Sequence, residues 1–174
     1  LSLLDRLAYV GSLGGGALCY FPAHTTQVHG DQIALDQIAQ QTQEIVTGTS
    51  SIILDELFVL GGSSGGARPK INVLFNPITQ ELSSRTTRIH KQEEHWIIKF
   101  AASIDAKDIA QIEYAYYLMA LEAGIEMSAS RLFFGASGKA YFGTKRFDRI
   151  EDKRLHMHSA SGLMHDNFRL SNID

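Results

Sequence analysis

Apolar residues open the chain at helical spacing, at Leu3, Leu4, Leu7 and Ala8, with Ser2 and Asp5 placed as a capping pair. The pattern predicts a short helix that the glycine run "GSLGGG" (11–16) ends. "ALCYF" (17–21) reads as a short strand before Pro22. Asp31 is placed to cap a helix over Gln32–Val46, with Ile33, Ala34, Ile38 and Ile45 on its apolar side and Gly48 as its stop. "TSSIILDELFVL" (49–60) is ambiguous. Leu54, Leu57 and Phe58 fit a short helix stopped by Gly61, while the β-branched residues leave a strand open. Beyond residue 69 the pattern sharpens. "KINVLFN" alternates and is rich in strand formers, Asn76-Pro77 marks a turn, and "HWIIKFAA" (95–102) predicts a second strand. A long helix follows from Asp105 or Asp108, with Ile109, Ile112, Tyr116, Met119 and Ala120 at helical spacing and Gly124 as its C-cap. "RLFFG", "ASGK" and "AYFGTKRF" read as a hairpin, and "HSASGLMHDNF" begins another helix.

Composition bounds this picture without changing it. The 174 residues are 44% hydrophobic and 20% charged, enough for a packed core in one domain or a piece of a larger one. A formal charge of -3 argues against a general nucleic-acid binder but not against a local basic pocket. Cys19 is the only cysteine, which fits a reducing, cytoplasmic setting, and no apolar run reaches membrane-spanning length. The chain opens on Leu1 and closes on "FRLSNID", and both ends read as those of an internal piece of a longer protein.

The stretch "FVLGGSSGGARPKINVLF" (58–75) carries the chemistry. Glycine-rich loops let backbone amides approach phosphates closely. A P-loop needs Lys and Ser/Thr after its last glycine and then a helix, but Ala67 and Arg68 stand there. The dinucleotide fingerprint also runs into a helix, whereas Pro69 and a strand-like run follow here. A kinase-type clamp remains: a glycine loop ahead of a strand, a lysine on a nearby strand and a glutamate on the next helix. Lys99 in "HWIIKF" and Glu113 in "QIEYAYY" occur in that order. "YFGTKRFDR" then falls where two kinase lobes join. Taken singly, each part has an ordinary explanation: a turn, a snorkelling lysine, a solvated glutamate.

"GGSSGGARPK", "WIIKF", "IEYAYYLMALEAGIE", "KRFDR" and "HMHSASGLMHDNFR" together resemble HipA-family serine/threonine kinases, the toxins of HipA–HipB type toxin–antitoxin systems. "LSLLDRLAYVGSLGGGALCYFPA" is similar to the family's segment between its small N-terminal subdomain and the kinase body. The resemblance implies an α+β, protein-kinase-like fold. Residues 1–50 would link that subdomain to the kinase body, 51–149 would form the nucleotide-binding lobe and hinge, and 150–174 would begin the second lobe. It implies ATP and Mg2+ as cofactors, and phosphorylation of a protein serine, in the family on an aminoacyl-tRNA synthetase. Ser63 matches the family's autophosphorylation site. Ser64, Gly65, Gly66 and Ala67 would give loop backbone to the phosphates, Lys99 would bind phosphate and Glu113 would orient it. Lys145 and Phe147 match the positions that meet adenine, although Glu is common in the family where Lys145 stands. The implied partners are a helix-turn-helix antitoxin and, through it, operator DNA.

A kinase also needs a catalytic Asp, an Asn and a metal-binding Asp. "HDNFRLSN" (165–172) does not fit that spacing, so these residues are expected beyond Asp174 and the piece alone is expected to be inactive. His156, His158 and His165 lack the further ligand that a metal site would need. The alternative to an enzyme is a pseudokinase-like module that binds an antitoxin or another protein.

Overall fold

The computed structural model describes residues 2–24, 32–46, 68–84, 88 and 90–165. Helix α1 (Leu3–Val10) begins with the expected capping box: the Asp5 amide donates to Ser2 Oγ at 3.1 Å, and the Ser2 amide to Asp5 Oδ2 at 2.8 Å. Gly11 closes it at φ 48°, a conformation that favours glycine. "ALCYF" is not a strand. Among the described residues it has no neighbouring strand, and the carbonyls of the preceding Gly14 and Gly16 accept arginine side chains instead.

Helix α2 (Leu35–Val46) starts three residues later than the sequence predicts. Gln32 bridges to Ser83, and the Ile33 amide donates to the Leu82 carbonyl at 3.0 Å, so the chain is still extended there. Asp31, Ile45 as a packing residue and Gly48 lie outside the described residues, as does 49–60.

Five antiparallel strands form the main sheet: β1 (Lys70–Phe75), β2 (Leu82–Ser83), β3 (Glu94–Lys99), β4 (Ser130–Phe134) and β5 (Ala140–Lys145), in the order β2-β1-β3-β5-β4. The second strand ends at Lys99, three residues short of its predicted end. Strand alternation divides the side chains between two faces. Ile71, Val73, Phe75, Trp96, Ile98, Phe133 and Tyr141 form the core with Leu35 and Ile38 of α2. Three of its rings meet edge to face, Phe75–Phe133 at 5.0 Å, Trp96–Phe133 at 5.4 Å and Phe75–Trp96 at 5.9 Å. Burying each such side chain contributes roughly 1.5–3 kcal/mol. Asp36 ties α2 to the β4–β5 turn, accepting from Tyr141 Oη at 2.7 Å and the Ser137 amide at 2.8 Å.

The opposite face carries Lys70, Asn72, Ile97, Lys99, Phe142 and Thr144, matched across strands as Lys70 with Lys99, Asn72 with Ile97, Lys99 with Phe142 and Ile97 with Thr144. Helix α3 (Ile109–Glu122) packs near β5 and the β4 edge of the sheet. A Schellman turn ends it: the amides of Gly124 and Ile125 donate to the Leu121 and Ala120 carbonyls, with Gly124 at φ 76°. Ala110 is buried and Glu113, Tyr114 and Tyr117 are half-buried, while Ile112, Tyr116 and Met119, part of the predicted apolar set, face solvent. The helix is apolar almost all round, so spacing could not select its inner face. A small hairpin, β6 (Arg149–Ile150) and β7 (Lys153–Arg154), and helix α4 (Ala160–Met164), capped by Ser159, follow. Among the described residues no helix is long and apolar enough to cross a membrane.

Candidate functional site

Strand alternation makes the site. Lys70, Asn72, Ile97, Lys99 and Thr144 line one wall of a cleft of about 820 Å³, which Glu113, Met127, Phe147 and Met157 close from other elements. Lys99 Nζ meets Glu113 Oε2 at 2.8 Å and lies 5.2 Å from the centre of the Phe142 ring. The other Glu113 oxygen accepts Arg68 Nη1 at 3.1 Å, and Arg68 holds Asp105 in a two-pronged pair with both contacts at 2.9 Å. Lys70 stands directly across from Lys99. Burial, and then the Lys99 charge, lower its pKa, against the pull of Glu113.

At the far end β5 runs into Arg146-Phe147-Asp148. The Lys145 amide donates to the Ala129 carbonyl and the Arg146 amide to the His95 carbonyl, both at 2.8 Å. The side chain of Lys145 pairs with Glu94 at 2.6 Å, and its register partner Trp96 lies on the core face. Phe147 is exposed beside the cleft. Arg146 reaches Asn72 Oδ1 at 3.1 Å and grips Asp148 with Nε and Nη2.

Asp148 is the centre of a buried knot. It also accepts Arg149 Nη1 at 2.6 Å and the Gly16 amide at 2.7 Å. Burial pushes its carboxyl up, but the hydrogen bonds from Arg146 and Gly16 and the charges of Arg146 and Arg149 outweigh that and bring it down to about 2. Burial and the Arg146 charge bring Arg149 down to about 10. Arg149 and Arg154 share the carbonyls of Gly14 and Gly16, which fastens the segment after α1 to the connector. Next to the knot, burial and then the Arg146, Arg149 and Arg88 charges lower His95 to about 4, against Asp148.

Of the residues singled out in the sequence, Lys99, Glu113, Lys145 and Phe147 all border the cleft. Lys99 and Glu113 are joined directly, whereas the Lys145 ammonium is held by Glu94. Ser63, Ser64, Gly65, Gly66 and Ala67 lie outside the described residues, as do Asp166 and Asn172. The His156 and His158 rings lie 6.4 Å apart, tilted by 40°, but among the described residues no group of three His, Cys, Asp or Glu could hold a metal. Sequence reasoning missed Arg68, Lys70 and Arg146. Lys70 was findable, because the two-residue period that predicts β1 puts it on the face of Asn72.

Fold and site together define an α+β domain with a cationic cleft between one sheet face, a helix and a connector. The chain belongs to the HipA-like C-terminal domain family, whose model matches residues 62–171. No curated protein matches it significantly.

Proposed function

We propose that the chain is the nucleotide-binding lobe and hinge of a HipA-type serine/threonine protein kinase, residues 51–149 with a linking segment before and the start of the second lobe after. The observation that carries this reading is the 2.8 Å pair of Lys99 and Glu113 on the wall of the cleft. An orienting carboxylate keeps the ammonium charged and aimed, which is what a phosphate-binding lysine needs. Lys70, across the ladder, adds a second positive charge. The apolar surfaces of Ile97, Met127, Met157 and Phe147 suit a purine at the connector end. The amides of Lys145 and Arg146 are already engaged, and among the described residues that of Phe147 is not, so the Phe147 amide is the donor left for the base.

The residues therefore fit ATP. Among the described residues there is no set for its Mg2+: Glu113 is taken by Lys99 and Arg68, and Asp148 by Arg146 and Arg149. Bound ATP would supply the phosphoryl group for a protein serine, in the family on an aminoacyl-tRNA synthetase, and for Ser63. A phosphate on Ser63 would add negative charge five residues before Arg68, on a chain whose cleft is built to attract it. The proposal extends to a cytoplasmic setting, a helix-turn-helix antitoxin and operator DNA through it. One observation favours the second reading, an interaction module without catalysis: Tyr116 and Met119 of α3 are 67% and 64% exposed.

Calorimetric titration with Mg-ATP tests the first reading. Lys99→Ala is expected to weaken binding tenfold or more, about 1.4 kcal/mol. Equal binding by wild type and variant, or no binding by either, would overturn it.

A further inference from the structure

Arg68 joins two carboxylates beside the start of α3, Asp105 and Glu113. Its Nε and Nη2 take the two Asp105 oxygens at 2.9 Å, and its Nη1 takes Glu113 Oε1 at 3.1 Å. Asp105 is itself fixed, because its Oδ2 accepts the Ala102 amide at 2.8 Å just past β3. Glu113 is left with one oxygen for Lys99. A glutamate on a helix has three side-chain torsions, and an ion pair to a lysine alone fixes none of them well, because an ammonium is a point charge. The planar fork of Arg68 is itself held by two contacts on Asp105, so its Nη1 offers Glu113 Oε1 a directed donor from a fixed position.

We propose that Arg68 is a positioning residue for phosphate binding: anchored on Asp105, it holds the Glu113 carboxylate in the orientation that presents the Lys99 ammonium to the cleft. The inference rests on the nucleotide reading above for its consequence, but its geometry can be tested without nucleotide. Among the described residues the partners of Arg68 are Asp105 and Glu113, away from the base end of the cleft, so its effect should fall on the triphosphate alone.

The test uses the full chain with isotope-labelled lysine side chains. The Lys99 signal is assigned by its loss in Lys99→Arg, and Glu113→Gln marks the shift of an unpaired Lys99. In Arg68→Ala and in Asp105→Asn the Lys99 signal should move toward the Glu113→Gln position, with Arg68→Lys between. ATP affinity should fall about tenfold in Arg68→Ala while adenosine affinity stays within about twofold. A Lys99 signal unmoved in both variants would overturn the proposal. So would ATP affinity that stays unchanged once the signal has moved, or adenosine affinity that falls in step with ATP. Should wild type bind no ATP, the functional reading fails, and the Lys99 signal alone still decides the role of Arg68. Because Arg68 is more than a third exposed, the variants should fold; if Arg68→Ala does not, Asp105→Asn and Arg68→Lys carry the same comparison.

Discussion

Lys145 and Glu94 are paired at 2.6 Å on the sheet face that carries Trp96, away from the face that carries Lys99. The family resemblance implies that Lys145 stands where adenine would be met, yet its ammonium is committed to Glu94. Lys145→Met should leave ATP affinity within about twofold. The lost pair is partly exposed, so stability should fall by less than about 1 kcal/mol. Titration calorimetry and a urea melt check both, and a tenfold loss of ATP binding would return the side chain to the cleft.

Among the described residues Asp148 is the only carboxylate in contact with Arg146 and Arg149, and its side chain is 5% exposed. Asp148→Asn removes the charge and leaves two buried guanidinium groups facing each other. Breaking such a buried pair costs about 3–5 kcal/mol. The urea midpoint should fall accordingly, and an unchanged midpoint would mean that the knot is dispensable.

His95 links stability to pH. Its folded pKa is about 4, while the unfolded imidazole titrates near 6.5. As pH falls through that window, the unfolded chain takes up the proton and the folded one does not. The contribution of His95 is therefore complete above about 6.5, declines toward 4 and levels off below. For a half-buried ring partly screened by solvent the loss is about 1–2 kcal/mol. Stability curves of wild type and His95→Gln between pH 7 and 4 should separate at the upper end and converge at the lower.

Gly143 faces the Phe133 ring, and a Cβ there would overlap Phe133 Cε2. Gly143→Ala must push that ring out of its contacts with Phe75 and Trp96, at a cost of about 1–3 kcal/mol. Thermal unfolding should show the loss, together with a changed near-ultraviolet signal from Trp96.

The strands and the hairpin were legible because their side chains alternate between a core and a cleft, which writes a two-residue period into "KINVLF" and "EHWIIK". The start of α2 was not legible: the bridge from Gln32 to Ser83 spans the fold, and local pattern cannot report it. The inner face of α3 was hidden because both its sides are apolar. In the site, the order of Lys99 and Glu113 could be read, and their meeting is a tertiary fact. The reach of Arg68 to Asp105 depends on where β3 ends and α3 begins, which the sequence left open by several residues.

The carbonyl of Gly14 accepts from Arg146, Arg149 and Arg154, and the Gly16 amide reaches Asp148 across 132 positions of sequence. That closure joins the segment before the first strand to the segment after the fifth, so docking of the early segment and completion of the connector should be coupled. A chain trimmed to begin at residue 51 would lose Leu35 and Ile38 from the core and, with them, the Gly14 carbonyl that three arginines share. The early residues are thus a foundation of the cleft, and proteolysis near Gly14 should loosen the far end of the molecule as surely as a cut in the connector itself.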